Sequence, residues 1–192
     1  MTSLTFLVMK TLDLSLTWAT FLSSLDDIMH YSKIVPMSIV DGVGCRVTLF
    51  VSGCRNHCEE CFNPETWDFN HGEEFTPIQE NEIIELCKKP YIAGLTILGG
   101  EPFEEENQLA LLPFIEKFKQ ACPDKNLWMF TGYVWDNDLI EGGRKFKAGV
   151  TDKILEHVDV LVDGPYVEEL RDLSLYFRGS SNQRLLKKED RK

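Results

Sequence analysis

Four short apolar runs, each emptying into a loop that carries cysteine, glycine or aspartate, constrain this chain more than any other feature. They are Cys45–Val51, Gly94–Leu98, Asn126–Phe130 and Val158–Val162. Runs of five to seven residues are too short for helices, and the short apolar run Gly94–Leu98 marks a strand buried on both faces. Helical signals lie between them. Thr76-Pro77-Ile78-Gln79 offers an N-cap, a proline at the first helical position and a capping-box glutamine. Ile83, Leu86 and Cys87 then mark one face, and Lys88-Lys89 followed by Pro90 ends the helix. Glu104-Glu105-Glu106 opens a second helix with Leu109, Leu112, Ile115 and Phe118 at helical spacing. Pro113 either kinks that helix or moves its start to about Leu112. Val134–Ile140 supports two turns at best, and Thr151–His157 a further short helix. Strand and helix signals that alternate in this way predict an α/β fold with a mostly parallel sheet. With so few units an eight-stranded closure is out of reach, so the expectation is a partial (β/α) barrel, open on one side. The loops after Val51, Leu98, Phe130 and Val162 are expected to converge on one cavity. Ile34–Gly44 reads as a short extended piece and a turn, and Leu175–Phe177 as a final edge strand.

The first of those loops holds Cys54, Cys58 and Cys61, a Cys-x3-Cys-x2-Cys spacing. Three soft ligands within eight residues can wrap one metal centre. A structural zinc ion needs a fourth ligand, and the near candidate, His57, is adjacent to Cys58 and badly placed to share its ion. Disulfides would leave one thiol over and close very small loops. A cubane iron–sulfur cluster held by three thiolates leaves one iron open to a substrate or cofactor. Spacing alone leaves the open-site cluster, zinc and plain reduced thiols all in play.

The loop resembles that of the radical S-adenosylmethionine (SAM) superfamily. Further pieces follow in order: Asp41-Gly42-Val43-Gly44, Leu49 to Cys54, Cys61-Phe62-Asn63, Thr66-Trp67, Leu98-Gly99-Gly100-Glu101-Pro102, Thr131-Gly132-Tyr133, Val162-Asp163-Gly164 and Arg178 to Arg184. That ordered set, over about 29–186, is similar to the anaerobic ribonucleoside-triphosphate reductase activating proteins. The resemblance implies a barrel of the radical SAM type and a 4Fe-4S cluster on Cys54, Cys58 and Cys61, with the fourth iron open to SAM. It implies that Glu60, Cys61, Phe62 and Asn63 shape the cluster side of the SAM pocket. Gly99, Gly100 and Glu101 would take the amino-acid end, and Thr131 and Asp163 would also face SAM. Many members carry Asp where this chain has Glu101, so the acid is kept. The aromatic that often precedes the last cysteine is replaced by Glu60, with Phe62 after the cysteine. The implied activity is radical oxidoreductase chemistry that installs a glycyl radical in the large subunit of the anaerobic reductase, with a flavodoxin-like electron donor and no catalytic acid or base. Activation of another glycyl-radical enzyme, such as pyruvate formate-lyase, and a zinc-stapled interaction module are the alternatives.

Composition narrows the partners. A formal charge of −11 argues against a nucleic-acid partner. Six cysteines without a convincing export signal point to a reducing compartment, the cytoplasm. Residues 1–28 form an atypical leader, rich in Leu, Phe and Thr but interrupted by Lys10 and Asp13, so it is not expected to span a membrane. Met29 is the expected working start of a single domain over 29–186, and 187–192 a frayed charged tail. Cys45, Cys87 and Cys122 are expected to pack as small hydrophobes and His157 to lie on the surface.

Overall fold

The computed structural model describes residues 28–191, so the expectations for the leader lie outside the described residues except at its last position. Within that range the strands are β1 (His30–Ser38), β2 (Cys45–Val51), β3 (Glu73–Glu74), β4 (Ile92–Gly99), β5 (Asn126–Phe130), β6 (Val160–Asp163) and β7 (Arg184–Lys187). The α-helices are α1 (Pro77–Cys87), α2 (Glu105–Ala121), α3 (Trp135–Asp138) and α4 (Thr151–His157). One open sheet runs in the order β3-β1-β2-β4-β5-β6-β7. Its centre, β2-β4-β5-β6, is parallel, whereas β1, β3 and β7 join antiparallel at the flanks. The α/β class and the parallel centre agree with the sequence.

Side-chain alternation sorts the central strands into two faces. Val47, Leu49, Val51, Leu95, Ile97, Leu127, Met129 and Leu161 enter the main core with Ile83, Ile84 and Cys87 of α1 and Leu111, Phe114, Ile115 and Phe118 of α2. Each fully buried side chain of this size stabilises by about 1.5–3 kcal/mol. The other face carries Thr48, Thr96, Leu98, Trp128, Phe130 and Val162. Arg46 is buried there too. Its guanidinium donates to Thr96 Oγ1 at 2.7 Å, Asn126 Oδ1 at 2.7 Å and the Leu95 carbonyl at 2.7 Å. Burial without a direct carboxylate partner pushes this guanidinium down to about 10.

Helix α1 begins as expected, with Thr76 capping Ile78 N and the Gln79 side chain accepting from Thr76 N. Helix α2 runs through Pro113, which lies on its exposed face, where solvent can reach the carbonyl that loses its partner. Three expectations are corrected. The extended piece before Gly44 begins at His30 and is a full strand paired with β2. Leu175–Phe177 is no strand: Phe177 sits at φ +57°, and its ring packs edge-on against Trp128 at 5.2 Å. The last strand is instead β7, drawn onto β6 by the pairing of Asp163 with Arg184. The charged tail is also more ordered than a frayed end: Lys188–Asp190 form a 3-10 turn, and Arg191 donates to the Leu155 and Val158 carbonyls.

Candidate metal centre

The loops after β2, β4, β5 and β6 share one cavity of about 640 Å³ at the carboxyl ends of the parallel strands. Such ends are where open α/β sheets hold ligands. Cys54, Cys58, Glu60, Cys61, Phe62, Gly99, Gly100, Glu101 and Thr131 all line it, with Leu98, Phe130 and Val162 as the apolar floor.

The thiol loop is held from both sides. Gly53 N donates to the Thr66 carbonyl at 2.8 Å and Cys54 N to the Trp67 carbonyl at 3.3 Å, so a short 3-10 turn at Pro64–Trp67 braces the loop's entry. Gly53 has φ +92°, and a Cβ there would lie 2.3 Å from the Phe69 ring, so no other residue fits. His57 and Glu60 adopt left-handed backbone at φ +46° and +56°, placing tight turns next to Cys58 and Cys61. Such conformations cost on the order of 1–3 kcal/mol each in a non-glycine residue. His57 is exposed, and its ring lies tilted by 51° against Trp67 with centroids 4.6 Å apart.

The Gly99-Gly100 loop touches this backbone directly. Gly100 N donates to the Val51 carbonyl at 2.7 Å, and Glu101 N to the Gly53 carbonyl at 2.8 Å. The Asn107 amide bridges the two loops, donating to the Ser52 carbonyl at 2.9 Å and the Glu101 carbonyl at 2.8 Å. Glu101 is almost wholly buried, and its carboxylate is shared among three segments. One oxygen accepts from Phe103 N at 3.0 Å and Thr131 Oγ1 at 2.7 Å. The other accepts from Gly132 N at 2.8 Å and Asn56 Nδ2 at 3.1 Å. Burial raises this acid to about 7, although the four donors favour its charged form.

Two residues expected at the site lie off the cavity wall. Asn63 is buried behind the loop, and its amide nitrogen finds no hydrogen-bond partner among the described residues. The Asp163 carboxylate is turned towards Arg184, which donates to it at 2.9 and 2.5 Å, and it also accepts from Trp135 N at 2.8 Å. With its lone pairs committed there, Asp163 anchors β7. Conversely, Asn56, Tyr166, Arg178, Gly179 and Gln183 line the cavity without having been singled out for it. For Arg178 to Gln183 the motif was visible, but not its place over the sheet.

The donor set fits an iron–sulfur group. All three thiols are free and face one space, whereas Cys45, Cys87 and Cys122 belong to the core or pack against it. Among the described residues no three His, Cys, Asp or Glu side chains close on a point that a single ion would fill. Burial pushes the Cys54 thiol up to about 12 and Cys58 in the same direction, with Cys61 adding to the latter. Cys54 and Cys58 therefore keep their protons until a metal displaces them. No helix among the described residues is long and apolar enough to cross a membrane.

A family model for a 4Fe-4S single cluster domain matches residues 40–186. The chain is 40% identical over 157 residues to the anaerobic ribonucleoside-triphosphate reductase-activating protein of Haemophilus influenzae, covering 81% of this chain and 96% of the relative. The protein of that name from Pasteurella multocida is 42% identical over 158 residues, 81% of this chain and 95% of the relative. The one from Enterobacteria phage T4 is 38% identical over 162 residues, 84% and 96%. Taken with the three free thiols on one strand-end cavity, these likenesses show that the chain belongs to the family of anaerobic ribonucleoside-triphosphate reductase-activating proteins.

Proposed function

We propose that this chain activates an anaerobic ribonucleoside-triphosphate reductase by creating a glycyl radical in its large subunit, through radical SAM chemistry at a 4Fe-4S cluster. The observation that carries the reading is the meeting of Cys54, Cys58 and Cys61 with the Gly99-Gly100-Glu101 loop in one cavity. When bound, the cluster supplies one electron for reductive cleavage of SAM, giving methionine and a 5′-deoxyadenosyl radical able to take hydrogen from a glycine Cα. The three thiolates would hold the cluster and leave one iron to the amino and carboxylate groups of SAM.

The rest of the work is positioning. Gly99, at φ +113°, lets the chain leave β4 close against Val51, and Gly100 brings its backbone onto Gly53. A SAM amino-acid end laid there would meet backbone carbonyls rather than side chains, since Gly100 N and Glu101 N are already bonded to the neighbouring strand and loop. The Glu101 carboxylate, already filled by four donors, contributes by fixing the three loops relative to one another. Glu60 and Phe62 flank the last thiol at the rim; Leu98, Phe130 and Val162 keep water from the floor. We read the open sheet as a partial barrel of the radical SAM type. Its open side suits a substrate that is itself a protein, and the exposed Val40, Phe62 and Leu173 at the cavity mouth offer apolar contact to an inserted loop. The stoichiometry requires an external one-electron donor, and we read it as a small carrier of the flavodoxin kind. Free thiols suit a reducing, cytoplasmic setting.

The test is anaerobic reconstitution with iron and sulfide, reduction with dithionite in the presence of SAM, and chromatography for 5′-deoxyadenosine. The reductase is then added, and a glycyl radical is sought by electron paramagnetic resonance. Iron uptake without SAM cleavage, or cleavage without radical transfer to the reductase, refutes the reading at the corresponding step.

A further inference from the structure

Beside the thiol loop, outside the lining of that cavity, lies a second and strongly charged arrangement centred on Glu104. Its side chain is 0% exposed and collects four hydrogen bonds. One oxygen accepts from Arg55 N at 3.1 Å and from Tyr133 OH at 2.8 Å. The other accepts from Arg55 NH1 at 2.7 Å and from Lys145 Nζ at 2.6 Å. The two cations hold this carboxyl below the usual carboxylate range despite its burial.

Arg55 is the residue directly after Cys54, so the bond to Arg55 N grips the peptide that leaves the first thiol. The Arg55 guanidinium bonds Glu106 as well, at 2.6 Å, and lies over the Phe69 ring at 4.2 Å. Phe69 in turn fills the space against Gly53. Cys54 is thus bracketed between two residues whose positions Glu104 and its partners determine. Tyr133 and Lys145 meanwhile tie the same carboxylate to the segment after β5 and to the stretch between α3 and α4. Hydrogen bonds to an ionised, buried acceptor are stronger than neutral ones, so four of them make this point hard to displace.

We propose that Glu104 is a positioning residue for the thiol loop, which fixes Cys54 through the Arg55 amide and guanidinium and sets how firmly the loop retains a metal cluster. The part concerning a cluster rests on the proposed function; the part concerning the loop does not.

The experiment compares wild type with Glu104→Gln, Arg55→Ala and Lys145→Ala. Arg55 is half exposed and Lys145 lies at the far side of the hub, so these two variants fold even where Glu104→Gln is weakened. In the metal-free proteins, the alkylation rate of each cysteine by iodoacetamide is read by mass spectrometry. Cys54 is expected to react about tenfold faster or more in Glu104→Gln and severalfold faster in Arg55→Ala, with Cys87 unchanged. Lys145→Ala, which leaves both Arg55 bonds to Glu104 in place, should quicken Cys54 less than Arg55→Ala does. In reconstituted protein, iron extraction by a ferrous chelator should quicken roughly tenfold or more in Glu104→Gln, the range usual for residues that orient metal ligands. Rescue by Glu104→Asp should be incomplete, because the shorter arm cannot reach Arg55 N and Lys145 together. Cys54 reactivity within twofold of wild type in both Glu104→Gln and Arg55→Ala overturns the proposal. So does equal acceleration in Lys145→Ala, which would mean general loosening. A wild-type protein that takes up no cluster refutes the proposed function instead, and the alkylation result still decides the role of Glu104.

Discussion

Gly100→Ala isolates the contact on which the cavity depends. A Cβ at Gly100 would stand 2.7 Å from the Gly53 carbonyl oxygen and 3.1 Å from Gly53 N and C, all backbone of the thiol loop. Ordinary carbon–oxygen contact begins near 3.4 Å, so the two loops must separate by about half an ångström or more. That movement strains the 2.8 Å bond from Glu101 N to Gly53 O and the 2.7 Å bond from Gly100 N to Val51 O. Overpacking of this kind costs about 1–3 kcal/mol, and one buried hydrogen bond left unmade about 1–3 kcal/mol more. For a chain of this size the least of these sums lowers Tm by about 4 °C. Gly142→Ala is the control: unlike Gly100→Ala it places a side chain at positive φ, +85°, but with no atom within 4 Å of the new Cβ. It should cost only the left-handed backbone penalty, about 1–2 kcal/mol. The assay is thermal unfolding of the metal-free protein, followed by iron content after anaerobic reconstitution. Gly100→Ala should lose both Tm and iron, and Gly142→Ala a little Tm and no iron. Equal Tm losses with full iron in both would refute the idea that contact between these two backbones sets the thiol loop.

Three further outcomes are expected. Ala at Cys54, Cys58 or Cys61 should each abolish SAM cleavage, while Cys87→Ala, in the core, should keep it; a turning-over Cys58→Ala enzyme would remove the proposed ligand set. Glu101, raised to about 7 in the fold from 4.5, binds its proton more tightly when folded. Its contribution is therefore complete below pH 4.5 and is lost as pH rises to about 7, ~3 kcal/mol in all. Urea unfolding of metal-free protein from pH 5 to 8 should show that decline flattened in Glu101→Gln, and parallel curves would contradict it. Arg184→Ala leaves Asp163 buried and unpaired; since the arginine is 37% exposed, solvent limits the cost to about 2 kcal/mol. Faster hydrogen exchange confined to β7 and its pairing with β6 would register it, and unchanged protection there would count against the anchor.

Much of this molecule was legible residue by residue. Continuous apolar runs specify strands covered on both faces, and Thr76 to Gln79 spells out a helix start that local hydrogen bonding alone enforces. The thiol spacing is equally local, because eight residues cannot carry three sulfurs far apart. The four strand-end loops meet because parallel strands joined by helices all point their carboxyl ends the same way. Whatever depends on distant partners was not legible. Glu104-Glu105-Glu106 looks like a favourable first turn, and for Glu105 and Glu106 that holds; only the arrival of Arg55, Tyr133 and Lys145 makes Glu104 a buried hub. Asp163 sits at the rim by its place in β6, yet Arg184 turns its carboxylate away from the cavity. Leu175–Phe177 has the composition of a strand, but packing against Trp128 selects a left-handed turn at Phe177, and the edge position passes to Arg184–Lys187. Bonds closed within a few residues are fixed by the order of the chain, whereas a charge or an edge strand finds its partner only after the sheet has brought remote segments together.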